Sequence, residues 1–135
     1  MVRVTAAILV KDGKLLIGKR KPTVKLANKW ELPGGKIEKK ETPEDCLVRE
    51  LREEFDIEVI VGEYLGSNIH HYDFGTIELM CYRTFLKSGD LKLIDHTRVE
   101  WITPDQLSGF DFAPADIPIV EKLINGEISL KDTIR

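Results

Sequence analysis

The chain has 135 residues, 42% of them hydrophobic and 32% charged, with a formal net charge of −3. That length supports one domain over residues 1–135, with a real core, and is too short for two. An acidic balance with no basic stripe argues against a surface for a nucleic-acid polymer. Cys46 and Cys81 are too few for a disulfide framework or a zinc site, and they point to buried thiols in a reducing, cytoplasmic setting.

Val2 to Val10 is rich in β-branched residues and reads as a strand. Charge interrupts its apolar run within a few residues, so it reads neither as a signal peptide nor as a membrane span. Asp12-Gly13 supplies turn chemistry, and Leu15 to Arg20 is the returning strand. Lys19, Arg20, Lys21 and Lys25 form a basic cluster, suited to solubility or to substrate phosphates or base. A loop from Pro22 to Lys29 leads to the short strand Trp30-Glu31-Leu32. Pro33-Gly34-Gly35 breaks that strand, and two glycines let the backbone approach a ligand or metal closely.

A helix opens at Thr42 as N-cap, with Pro43 at the first position and Asp45 three residues on, and runs to about Phe55. Leu47, Leu51 and Phe55 form its apolar stripe. Glu50, Glu53 and Glu54 fall within roughly a 100° arc beside that stripe. Packed carboxylates repel one another and are costly to desolvate, a conflict that a hard divalent cation resolves. Taken alone, the same helix also reads as a solvated Glu/Arg surface.

Beyond it, Ile57 to Gly66 reads as a strand, and Ile69 to Phe74 with Ile77 to Phe85 as a hairpin. His70 and His71 near its start are exposed strand residues or substrate contacts. Ser88-Gly89-Asp90 is a turn before a weak strand ending at Ile94. Val99 to Ile102 is a strand, Thr103 caps a short helix from Pro104 to Leu107, and Phe110 to Ala115 is loop. Asp116 caps a last helix to about Asn125, with Gly126 as its stop, and the tail to Arg135 reads as loosely packed. These elements imply α/β (α+β) architecture, a mixed β-sheet between helices.

Over Gly35 to Ile57 the residues Gly35, Glu41, Arg49, Glu50, Leu51, Glu53, Glu54 and Ile57 match the spacing of the Nudix box, so the chain resembles the Nudix hydrolases. One position departs: Asp56 stands where the family has a glycine that ends the helix, which implies a slightly strained helix end. The run Phe112-Ala113-Pro114-Ala115-Asp116-Ile117-Pro118 resembles the MutT-like branch, of the CTP pyrophosphohydrolase or 8-oxo-dGTP diphosphatase type. The resemblance implies an α/β/α sandwich and a Mg²⁺-dependent pyrophosphohydrolase of nucleoside triphosphates, with Mn²⁺ able to stand in.

By that resemblance Glu50, Glu53 and Glu54 are metal ligands, assisted by the Gly35 carbonyl, while Arg49 and Glu41 orient them. The general base falls to Asp95, with His96 or Glu53 as alternatives. Arg20 becomes a base or phosphate contact, Leu32 a wall of the base pocket, and Asp116 an acceptor for a cytosine amino group or a guanine N–H edge. Asp116 is otherwise simply a helix cap. The implied partner is a nucleotide, with no nucleic-acid polymer and no membrane, acting on a monomer or homodimer. The box leaves ADP-ribose or dinucleoside polyphosphates open as substrates; a non-catalytic sensor is disfavoured by the intact glutamates.

Overall fold

The computed structural model describes residues 1–130. In chain order the elements are β1 (Val2–Lys11), β2 (Lys14–Arg20), β3 (Trp30–Glu31), α1 (Pro43–Phe55), β4 (Glu58–Tyr72), β5 (Gly75–Ser88), β6 (His96–Ile102) and α2 (Ile117–Ile124). Two 3-10 turns, Pro104–Gly109 and Pro114–Asp116, precede α2. Asp12 and Gly13 both have positive φ, 51° and 74°, as a tight β1–β2 hairpin requires.

The strands make one six-stranded mixed sheet in the order β3-β2-β1-β5-β4, with β6 also paired to β2. β1 runs parallel to β5 from Val2 opposite Ile77 to Val10 opposite Phe85. Its side chains alternate between the two faces. Ala6, Ile8 and Val10 join Ile119, Val120 and Leu123 of α2 in one core. Ala7 and Leu9 join Leu47, Leu51 and Phe55 of α1 in the other. The sheet between two helical layers is the expected sandwich, and truncating a fully buried residue such as Leu51 to Ala costs about 2–5 kcal/mol.

β1 and β2 pair only beside their turn, at Val10–Leu15 and Lys11–Lys14. Farther along they splay apart, and the chain from Pro33 to Lys36 fills the opening: Ala7 N–H donates to the Pro33 carbonyl at 2.7 Å and Thr5 N–H to the Gly35 carbonyl at 2.8 Å. Gly34 sits at φ 150°, and a Cβ there would overlap the Thr5 carbonyl, so only glycine fits. This splay brings the glycine loop, α1 and the α2 side of the sheet to one place.

Several boundaries differ from the sequence reading. The segments Ile57–Gly66 and Ile69–Phe74 are one strand, β4, because bulges between Val61 and Tyr64 and between Tyr64 and Gly66 absorb the irregularity. Residues 91–94 form no strand; Lys92 and Ile94 instead donate to the Phe55 and Glu54 carbonyls at the end of α1. β6 begins at His96, earlier than Val99. The helix expected from Pro104 is a 3-10 turn, and the loop before α2 holds another. The loosely packed tail expected to Arg135 includes residues 131–135, which lie outside the described residues; before them Ile128 is buried and Leu130 packs on the core. Among the described residues no helix is long and apolar enough to cross a membrane.

Candidate active site

The splay opens a cavity of about 480 Å³ whose wall includes Arg20, Glu31, Leu32, Gly34, Gly35, Glu54, Asp95, His96 and Asp116. It therefore joins Arg20, Leu32, Gly35, Glu54, Asp95 and Asp116 of the sequence reading. Glu41, Arg49, Glu50 and Glu53 gather beside it on and before α1, and they reach the wall through Gly35 and Glu54.

α1 begins as expected: Asp45 N–H donates to Thr42 Oγ1 at 3.0 Å, with Pro43 in the first turn. It ends on Asp56 at φ 56°, ψ 42°, the left-handed conformation inferred from the missing glycine. On its polar face Arg49 is the hub. Nε and Nη2 donate to the two oxygens of Glu41 at 2.7 and 2.9 Å, while Nη1 reaches Glu50 Oε1 and Glu53 Oε2, each at 3.0 Å. The guanidinium holds the Glu41 carboxyl down to about 2. Glu53 is half exposed and stays at the surface.

Glu50 and Glu54 differ from Glu53. Their carboxyls lie within hydrogen-bonding reach of each other, and burial pushes both upward, Glu54 well above the usual carboxylate range. The neighbouring carboxylates Glu31, Glu50 and Asp95 add to the rise at Glu54. A Cβ on Gly35 would overlap the Glu50 carboxyl, so the glycine makes room for it. The Gly35 carbonyl itself faces β1, where it accepts from Thr5 N–H and from Thr5 Oγ1 at 3.2 Å.

Among the described residues no three His, Cys, Asp or Glu side chains converge as a ready metal cage. The donors nevertheless fit a hard cation. Glu54 is buried, its Oε1 has no hydrogen-bond partner, and a second carboxyl adjoins it. Mg²⁺ keeps several waters and needs few protein ligands.

Also in the cavity wall, Asp116 does not cap α2 with its side chain. Oδ2 instead accepts the Leu32 N–H at 2.8 Å. Asn68 and Tyr72 fix this turn from β4: Asn68 Nδ2 donates to the Ala115 carbonyl, and Ala115 N–H donates to the Tyr72 hydroxyl. Burial, and then the charge of Glu31, push the Asp116 carboxyl up to about 8. That rise favours the protonated form, which can donate a hydrogen bond as well as accept one.

Glu31 escaped the sequence reading. Its carboxylate takes Arg20 Nη1 at 2.9 Å on one oxygen and His96 Nε2 at 2.9 Å on the other. The one available signal was a carboxylate between the apolar residues Trp30 and Leu32, both of which are buried. Tyr72 and Phe74 also line the cavity, with stacked rings 4.8 Å apart. His70 and His71 lie outside its wall; His71 Nδ1 pairs with Thr76 Oγ1 across the hairpin.

The NUDIX domain model matches residues 1–123, and the chain belongs to the Nudix family of hydrolases, enzymes that act on phosphorus anhydrides. The chain is 39% identical over 121 residues to the CTP pyrophosphohydrolase of Escherichia coli, covering 90% of each chain. It is 36% identical over 129 residues to the putative 8-oxo-dGTP diphosphatase 2 of Mycobacterium tuberculosis, covering 91% of this chain and 90% of that one. Among solved structures, the E. coli ORF135 protein superposes with a TM-score of 0.81 at 36% identity, over 94% of this chain and 91% of the other. The MutT protein of methicillin-resistant Staphylococcus aureus superposes with a TM-score of 0.74 at 39% identity, over 93% and 96%.

Proposed function

We propose that this chain is a Mg²⁺-dependent nucleoside triphosphate pyrophosphohydrolase that yields a nucleoside monophosphate and pyrophosphate. Its substrates are cytosine nucleotides, CTP, dCTP or 5-modified forms, or oxidised purine nucleotides such as 8-oxo-dGTP, and its purpose is cytoplasmic nucleotide-pool sanitation. The observation that supports this reading is one cavity lined both by the buried carboxyl of Asp116 and by Glu54, whose Oε1 has no hydrogen-bond partner. The named activities of the E. coli and M. tuberculosis relatives support it further.

Glu50, Glu53 and Glu54 would hold the cation, which when bound neutralises phosphate charge and acidifies water. Arg49, clamped by Glu41, keeps Glu50 and Glu53 from swinging away. Asp95 borders the cavity close enough to Glu54 for their charges to interact, so it is placed to take the proton of the attacking water. The water oxygen bonds to the β-phosphorus, the bond to the α-phosphate oxygen breaks, and the monophosphate leaves. At the base end, Leu32 walls the pocket, Arg20 approaches the substrate beside Glu31, and Asp116 offers its free oxygen to the base edge.

The test is a screen of ribo-, deoxyribo- and base-modified triphosphates with Mg²⁺ and product identification, repeated with Asp116→Asn. The reading expects monophosphate plus pyrophosphate, with base preference altered by the substitution. Ribose 5-phosphate from ADP-ribose, or two nucleotides from a dinucleoside polyphosphate, with no turnover of triphosphates would contradict it.

A further inference from the structure

His96 is a buried side chain in the cavity wall, and the roles proposed above leave it unused. It sits at the start of β6, and its side chain is only 3% exposed. Its ring stacks on Phe55 at 5.1 Å and 11°. The ring also fits against Gly18 of β2, where a Cβ would stand 2.7 Å from His96 Cδ2. A larger residue at Gly18 would displace the imidazole, so both Gly18 and Phe55 restrict where the ring can lie. Nε2 is committed to Glu31 Oε2 at 2.9 Å, and Glu31 is in turn held by Arg20.

The other ring nitrogen has no partner. His96 Nδ1 and Glu54 Oε1 are two of the buried polar atoms left unsatisfied among the described residues, and they face each other at 4.0 Å. That separation is too long for a direct hydrogen bond. A small rotation of the glutamate joins them, and then both orphans are satisfied at once. A buried carboxylate with one oxygen held in this way presents its other oxygen in a defined direction.

We propose that His96 is a positioning residue for Glu54: Nδ1 fixes Oε1, and the Glu31–Arg20 arm fixes the ring. The proposal rests on the reading of Glu54 as a cation ligand. It makes the cation affinity of the carboxylates depend on a residue that does not itself bind the cation.

An asparagine amide reaches where the Nδ1 of a histidine lies, and a glutamine amide where its Nε2 lies. His96→Asn therefore keeps the contact to Glu54 and loses that to Glu31, whereas His96→Gln does the reverse. Each is compared with wild type and His96→Leu by titrating Mn²⁺ alone into the folded protein and following loss of the free-ion electron paramagnetic resonance signal. Circular dichroism melting checks that each variant is folded. We expect His96→Asn to bind Mn²⁺ within about 3-fold of wild type, and Gln and Leu to bind about 10-fold or more weakly. Equal affinity of the Asn and Gln variants, whether both weak or both normal, overturns the positioning role and leaves the cation site standing. A wild-type protein that binds no Mn²⁺ overturns both.

Discussion

The backbone N–H of Leu32 donates to Asp116 Oδ2 at 2.8 Å, a bond between residues 84 apart in sequence. It ties the strand leading into the glycine loop to the turn that opens the last helix. The carboxylate that the sequence offers as a helix cap is thereby turned into the cavity wall.

That placement has a pH signature. The Asp116 carboxyl is raised from an ordinary 3.8 to about 8. Between those values the folded chain keeps a proton that the unfolded chain has lost, so this group makes stability fall as pH rises from about 4 to about 8. Asp116→Asn removes the effect. Urea denaturation at about pH 5 and about pH 8.5 should show the variant gaining on wild type at the higher pH. An unchanged difference between the two proteins would contradict the buried, protonated state.

Arg49 grips Glu41 with two N–H groups and reaches Glu50 and Glu53 with a third nitrogen. A lysine has one point of charge and cannot span the three carboxylates. Arg49→Lys should lower kcat about 10- to 100-fold with little change in melting temperature, because much of the cluster is solvent-screened. Steady-state pyrophosphate release beside a thermal melt checks this; normal kcat would remove the orienting role.

Glu53 is half exposed, and both of its oxygens accept from Arg49 Nη1. Glu53→Gln should leave the fold intact while reducing turnover by at least about 100-fold. A variant that keeps most of its activity would take Glu53 out of the cation site.

Asp56 ends α1 at positive φ and pairs with Lys92 at 3.0 Å across an exposed surface. An exposed pair contributes little, whereas glycine relieves the left-handed backbone. Asp56→Gly should raise stability by about 0.5 kcal/mol. A fall in melting temperature would mean that the Lys92 pair outweighs the backbone relief.

How far the sequence revealed this site depended on chain distance. Glu50, Glu53 and Glu54 share one helix, where a fixed period sets their relative directions, so their grouping was legible. Glu31 was not, because its partners Arg20 and His96 come from two other strands. Asp116 was ambiguous for a related reason: cap and long-range acceptor are both open to an aspartate before a helix. β4 looked broken at Gly66 because a bulge and a strand end carry the same local residues. Residues 91–94 looked like strand, since apolar alternation does not distinguish pairing in a sheet from bonding to the end of a helix.

The reaction itself is tested most directly by turnover in ¹⁸O-labelled water with Mg²⁺ and CTP or 8-oxo-dGTP, followed by mass spectrometry of both products. Attack at the β-phosphorus places the label in pyrophosphate and none in the monophosphate. Label in the monophosphate, or release of a nucleoside diphosphate with labelled orthophosphate, would contradict it.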